Sequence, residues 1–462
     1  MRINRCPSLS LCDRVTRRAF LQIGGLGALS MSLADGRRAQ GETVQRQGFG
    51  RARSCIILWM TGGPPQHETW DPKPDAPGEI RGPFGSISTS LPGVRVGELM
   101  PRTAQILDRL AVLRGVHTDN PSHPGSSYEM FTGTVHPRGK GRDDVVDSRS
   151  DFPNYAALVN RFRPAPAGTP TSVVMPEPIF NVPFYPGQNA GFLGSQWDPW
   201  LLTCDPTAED FQVPELKLGQ DVSRDRLVGR RRLLDQADQA LSRGGSIGQY
   251  AARQGEALEL LGGGSIRQAF DLSREPAEVR DAYGRHKFGQ CCLLSRRLVE
   301  AGVPFVQVNW HRAANDDTPM WDAHWKLEEN LKNKLMPPMD QAYPTLLDDL
   351  QQRGLLAETL VIWMGEFGRT PKLEYVQPHP TVGCNHWGNV FSIALAGAGI
   401  RGGVVHGSSD KDGAFPHDFP VEPPDLLATM FHALGISPEL EIRDPLNRPF
   451  PLSRGRVLDR LF

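Results

Sequence analysis

Cys55-Ile56-Ile57-Leu58-Trp59-Met60, running straight into Thr61-Gly62-Gly63-Pro64-Pro65-Gln66-His67, sets the architecture of this chain. A strand with one wet face alternates apolar and polar residues; six apolar residues in a row describe a strand covered on both faces. The adjoining Gly-Gly-Pro-Pro ends the strand and turns the chain. The same pattern, a short apolar run closed by turn residues, recurs at 111–116, 171–175, 304–310, 359–364, 389–396 and 403–406. Helical periodicity fills the intervals at 98–110, 154–162, 276–301, 339–353 and 425–434. Strand and helix in alternation predict an α/β fold of three layers, with helices on both faces of a central, mainly parallel sheet.

The whole chain is 462 residues with 39% apolar and 22% charged residues, enough apolar material for a large core. Its 48 Gly and 40 Pro exceed ordinary usage and predict many ordered loops, not a helical bundle. The first 39 residues hold seven Arg and two acids; beyond them 44 basic residues face 50 acidic ones, which excludes the basic footprint of a nucleic-acid binder. Seven Cys, an odd number with no Cys-x-x-Cys pair, make neither a disulfide framework nor a zinc knuckle, and adjacent Cys291 and Cys292 read as core thiols. Within residues 1–39, Thr16-Arg17-Arg18-Ala19-Phe20-Leu21 precedes a Gly-broken apolar run too short for a stable membrane span. It resembles a twin-arginine signal, which implies handling by the twin-arginine export machinery and a periplasmic or extracellular destination. Residues 40–462 then form the α/β domain. The stretch at about 205–275, rich in charge and Gln with Gly-Gly at 244 and three Gly at 262–264, is expected to be a helical insertion, with a flexible linker as the alternative.

In an open α/β sheet, ligands bind beyond the carboxyl ends of the strands. Behind the first run come His67 and Asp71; behind the second, Ser122, His123 and Ser126; behind 304–310, Asp322 and His324; behind 359–364, Glu366 and Arg369; and in the next loop His386. Imidazole nitrogen and carboxylate oxygen suit zinc, manganese or iron. Asp322 and His324, two apart, face one side of an extended loop, and His386 completes a three-ligand set with a coordination position open. Glu366 is either a fourth ligand or a general base. Arg369 can hold an anionic substrate through its planar fork of donors, or simply pair with Glu366. Asp322 can equally cap a helix, and Ser126 can be a turn residue.

Gly62-Gly63-Pro64, Trp70-Asp71-Pro72-Lys73, the stretch from Gly187 to Gly194, Arg296-Arg297-Leu298-Val299-Glu300-Ala301-Gly302, Trp321-Asp322-Ala323-His324, Gly365-Glu366-Phe367-Gly368-Arg369-Thr370-Pro371 and His386-Trp387 together resemble the DUF1501 family, related to the alkaline phosphatase and sulfatase superfamily. The resemblance implies an alkaline phosphatase-like fold, a metal centre, and hydrolysis of phosphate or sulfate esters. By that resemblance Asp322, His324 and His386 surround one metal and Glu366 stands where the superfamily has the Asp of a second metal set; Glu366, Arg369 and His123 are the candidate catalytic residues, and Arg369, Asp71 and His67 the candidate substrate contacts. Thr61 and Phe367 stand where the superfamily has ligands of a second metal, and Cys384-Asn385 where the family has Arg-Asp. His123 stands near the position of the usual nucleophile, as a phosphate acceptor or a further ligand, with Ser122 and Ser126 as alternatives. The expectation is an exported hydrolase with one divalent ion, zinc, manganese or calcium, acting on an anionic ester or a sulfated or phosphorylated glycan. The alternative is a non-catalytic exported binding or assembly protein on the same fold.

Overall fold

The computed structural model describes residues 47–462, apart from 167, 181–183, 209–210, all but four residues of 214–263, 312–319 and 376–380. The export signal expected at 1–39 lies outside the described residues, as does most of the insertion expected at about 205–275.

Eight strands form one sheet: β1 (Ser54–Trp59), β2 (Ala111–Val116), β3 (Ser172–Met175), β4 (Trp200–Leu201), β5 (Phe305–Asn309), β6 (Thr359–Met364), β7 (Phe391–Ala396) and β8 (Val404–His406). Their order across the sheet is β8-β2-β7-β6-β1-β5-β3-β4. Every pairing is parallel except those of β7, which runs antiparallel to both β2 and β6. The expected class, α/β with a mainly parallel sheet, is the one observed, and the seven apolar runs of the sequence are all strands. The two-residue β4 is too short to leave a pattern.

Strand β1 shows why an unbroken apolar run was needed. Ile56, Leu58 and Met60 enter one core, while Cys55, Ile57 and Trp59 enter the other. The first core is closed by α3 (Lys287–Glu300) and α4 (Met336–Gln352), the second by α1 (His123–Thr132), α2 (Tyr155–Phe162) and α5 (Pro423–Ala433). Cys291 and Cys292 are buried core thiols on α3.

Two helical expectations are corrected. The span 276–301 is two helices, Ala277–Tyr283 and α3, because Gly284 turns the chain at φ +90° and His286 caps α3 through Nδ1, which accepts from Gly289 N–H at 3.0 Å. The span 98–110 is only two short turns, Pro101–Ala104 and Leu107–Arg109. The amides of Arg102 and Thr103 donate to Asp340 of α4 at 2.9 and 2.8 Å, so a tertiary contact caps that turn.

The sheet positions the site through one edge. Parallel β1, β5 and β6 deliver their trailing loops to that edge, and α1 starts there behind β2. Antiparallel β7 begins there, so it delivers its leading loop, including His386.

Candidate metal centre

The centre begins with a backbone contact. Gly62, behind β1, adopts φ +111°, and a Cβ on it would lie 2.5 Å from the amide nitrogen of Asp322. The Trp321 amide donates to the Thr61 carbonyl at 2.9 Å, which locks the segment behind β5 against the turn behind β1. From the other side, Glu366 Oε1 accepts from Gly62 N–H at 2.8 Å. A two-residue ribbon pairs Arg369 with His386 and Gly368 with Trp387, bringing the loops behind β6 and before β7 together.

The donors of Asp322, His324 and His386, the three residues expected to share a cation, converge. Asp322 Oδ1 lies 3.0 Å from His324 Nε2 and 3.1 Å from His386 Nε2, and the two Nε2 atoms are 2.9 Å apart. Ligands bound at about 2.1 Å to one ion are separated by about 3.0–3.4 Å, so this triangle has the size of one face of a coordination shell. His123 Nε2 is 3.2 Å from Asp322 Oδ2, and one donor atom each of His123, Asp322 and His386 falls within 4.8 Å of the others.

The protonation pattern sharpens this. His386 Nδ1 faces the Pro121 carbonyl at 2.8 Å, which can only accept, so that nitrogen carries the proton. His324 Nδ1 faces Asn385 Oδ1 at 3.1 Å, and the Asn385 amide is oriented by donation from Nδ2 to Glu374 at 3.1 Å. His324 is thus also an Nδ1–H imidazole. With Nδ1–H on both rings, neutral imidazoles would turn their Nε2 lone pairs toward each other and toward Asp322 Oδ1. Burial and the neighbouring His123 lower His386 to about 3, so it stays neutral. Two imidazole nitrogens and a carboxylate oxygen converging at 2.9–3.1 Å fit a bound cation.

His123 sits between two carboxylates, with Nδ1 2.8 Å from Glu366 Oε1 and Nε2 facing Asp322. Burial opposes its charge, but Asp322 and Glu366 outweigh burial and raise it to about 9. Asp322 is itself held well below the usual carboxylate range: burial raises it, and His123 and Arg369 more than reverse this. Tyr185 stacks on the His123 ring at 5.6 Å and Phe367 packs on it at 4.7 Å, also stacking on His386. Phe367 therefore fills the flank of the centre with carbon.

Glu366 and Arg369 are both held by the surrounding protein. Glu366 is fully buried; its Oε1 is bonded by Gly62 and His123, while Oε2 has no hydrogen-bond partner among the described residues. Arg369 is also fully buried, and its guanidinium is bound by the carbonyls of Gly62, Gly63, Trp321 and Cys384 and by Asp322 at 2.6 Å. The fork expected to meet an anion ties three backbone segments together. His67 bonds the Asp412 carbonyl at 2.9 Å, while Asp71 pairs with Lys73 and Arg114 at 3.1 and 3.4 Å and accepts from Ser409. None of these partners is a member of the Asp322 cluster. Ser122 caps α1, and Ser126 donates to the Glu366 carbonyl at 2.5 Å and meets Thr118 at 2.8 Å.

Sequence reasoning misses Tyr185, Pro121 and Glu374. Tyr185 precedes the Gly187–Gly194 stretch, whose Gln188 clamps the loop by bonding Ile179 N–H and the Ile179 and Tyr185 carbonyls. That stretch signals a shaped loop without its target. Pro121 acts through its backbone, which carries no side-chain signal.

Residues 52–462 match a family model described as "Protein of unknown function (DUF1501)". No curated protein matches the sequence. Among solved structures, similarity is found to PsFucS1 sulfatase from Pseudoalteromonas sp., at 14% identity over 85% of this chain and 69% of that one, TM-score 0.40. A protein in the alkaline phosphatase superfamily from Vibrio parahaemolyticus is 12% identical over 85% and 68%, TM-score 0.37. The lipoteichoic acid synthase LtaP from Listeria monocytogenes is 10% identical over 84% and 74%, TM-score 0.35.

Proposed function

We propose, from the premise that this chain belongs to the DUF1501 family, that it is an exported hydrolase of phosphate or sulfate esters built on one divalent cation. The observation that carries the reading is the triangle of Asp322 Oδ1, His324 Nε2 and His386 Nε2, with sides of 2.9–3.1 Å and both imidazoles held as Nδ1–H. Those three residues would hold the ion, with His123 beside them. A divalent cation there would polarise an ester oxygen and acidify bound water. The side chains of His324 and His386 are 19% and 21% exposed, so the ester reaches the centre from their side.

His123 bridges Asp322 and Glu366 and ties the two carboxylates together beside the ion. Glu366 holds His123 and the Gly62 turn in register. Arg369 positions Asp322 and acts on the substrate only through it. The ester class rests on the sequence resemblance, and the export route on Arg17-Arg18 and the apolar run beside them. Among the described residues no helix is long and apolar enough to cross a membrane. The burial of Arg369 and the structural engagement of Ser122 and Ser126 favour the second reading, a non-catalytic binding protein on the same scaffold.

The test is to titrate purified protein with zinc, manganese, calcium and cobalt, and to assay the loaded forms on aryl phosphates and aryl sulfates. The expected outcome is one bound ion per chain and turnover abolished by His324→Ala with unchanged unfolding temperature. Binding without turnover on any ester would select the second reading; no bound ion would overturn both the centre and the hydrolase.

A further inference from the structure

The two imidazoles of the centre are held by unlike groups. His386 leans on the Pro121 carbonyl, a backbone atom that no substitution replaces. His324 leans on a side-chain amide, Asn385 Oδ1, which in turn depends on Glu374. The backbone of Asn385 is pinned independently: its amide donates to Thr370 Oγ1 at 3.0 Å and its carbonyl accepts from Thr370 N–H at 2.9 Å. The Asn385 side chain thus serves a purpose other than fixing the loop. Glu374 is exposed on a separate ribbon in which Glu374 pairs with Gly383 and Tyr375 with Val382.

We propose that Asn385, oriented by Glu374, is a positioning residue that fixes the tautomer and ring orientation of His324 and thereby sets the cation affinity of the centre; this rests on the metal reading above. An amide side chain can present either its oxygen or its NH₂ to an imidazole nitrogen. If the NH₂ faced Nδ1, that nitrogen would have to accept, the proton would move to Nε2, and the lone pair needed for the ion would be lost. Glu374 forbids this arrangement, because its carboxylate accepts and cannot face Oδ1 without repulsion. A surface carboxylate therefore reaches the centre through one amide and one ring. Outer-shell partners of ligating histidines typically change metal affinity by about 10–100-fold on removal.

The experiment titrates cobalt(II) into wild type, Asn385→Leu, Glu374→Ala and the double variant Glu374→Gln/Asn385→Asp, following the visible cobalt absorption and thermal unfolding without ion. Asn385→Leu keeps the volume and removes the acceptor, and is expected to weaken cobalt binding about 10–100-fold. Glu374→Ala releases the amide and is expected to weaken it by a smaller factor. The double variant exchanges amide and carboxylate between the two positions but keeps both hydrogen bonds, the new amide donating to the new carboxylate and the carboxylate accepting from His324. It is expected to bind at least as tightly as wild type. That rescue is what a loop-stability role would not produce. If Asn385→Leu does not fold, the double variant and Glu374→Ala decide. Equal affinity in wild type and Glu374→Ala, or a double variant weaker than Glu374→Ala, overturns the relay and leaves the metal reading standing. A wild type that binds no cobalt overturns that reading itself.

Discussion

Arg296 and Arg369 are both sealed from solvent at 0% exposure, yet they are neutralised in opposite ways. Arg296, on α3, meets three carboxylates: Glu275 at 2.7 Å, Glu300 at 2.7 Å and Asp349 of α4 at 2.9 Å. Arg297 and Arg353 share the same acids, so charge is balanced within the network. Arg369 meets four carbonyls and one carboxylate, Asp322, whose oxygens are also shared with three histidines. The first arrangement fastens helices; the second fastens loops around a carboxylate kept ionised. Burial of an arginine alone does not separate structural from site roles. The kind of acceptor does.

Methionine at each position separates the two roles. Arg369→Met leaves Asp322 and several carbonyls buried without their donor, and is expected to lose about 3–5 kcal/mol of stability together with at least 100-fold in cobalt affinity. Arg296→Met is expected to cost a similar or slightly smaller amount, about 3 kcal/mol, measured by urea unfolding, with cobalt affinity per folded molecule unchanged. If Arg296→Met alters the affinity, or Arg369→Met spares it, the distinction between the two arginines fails.

Glu68 is a third buried charge-bearing group, a carboxyl with no cationic partner among the described residues. Both its oxygens lack a partner among the described residues, and burial, reinforced by Glu98, raises it to about 8 from an ordinary value of 4.5. The folded state therefore holds a proton that the unfolded chain has already released. Stability from this group is complete below about pH 4.5 and is lost as pH rises through about 8. Glu68→Gln should match wild type at pH 4 and exceed it by roughly 2–4 kcal/mol at pH 9 in paired unfolding curves. Curves that stay parallel across that range would remove Glu68 as a titrating group.

The smallest effect belongs to Ser126. Its hydroxyl bridges Thr118 and the Glu366 carbonyl, so Ser126→Ala is expected to cost about 1 kcal/mol and to leave ester turnover within a few-fold. Complete loss of turnover with the fold intact would make Ser126 the nucleophile instead.

Much of this was legible in the sequence, for physical reasons. Strands covered on both faces need continuous apolar runs, so seven of eight could be read directly. The split at Gly284 could not, because 276–301 keeps its apolar period through the break. The convergence of Asp322, His324 and His386 was legible because the loops behind strand ends meet at one edge of the sheet. The role of Arg369 was not: its partners are mostly backbone carbonyls, which leave no mark on composition. The chain from Glu374 to His324 was hidden for a related reason, since Asn385 gains its meaning only once the ribbons bring 374, 385 and 324 together.

The one reversed strand has a kinetic consequence. Strands β6 and β7 are consecutive among the strands of the sheet and side by side in it, so pairing them closes a shorter loop than pairing β1 with β5 or β6, or β2 with β7. Glu366, Arg369, Asn385 and His386 all lie within that excursion. Glu366, Arg369 and His386 are thus short-range neighbours, whereas His123, Asp322 and His324 are brought to them by the global topology. A candidate site assembled this way needs the whole sheet in place before Asp322, His324 and His386 can meet.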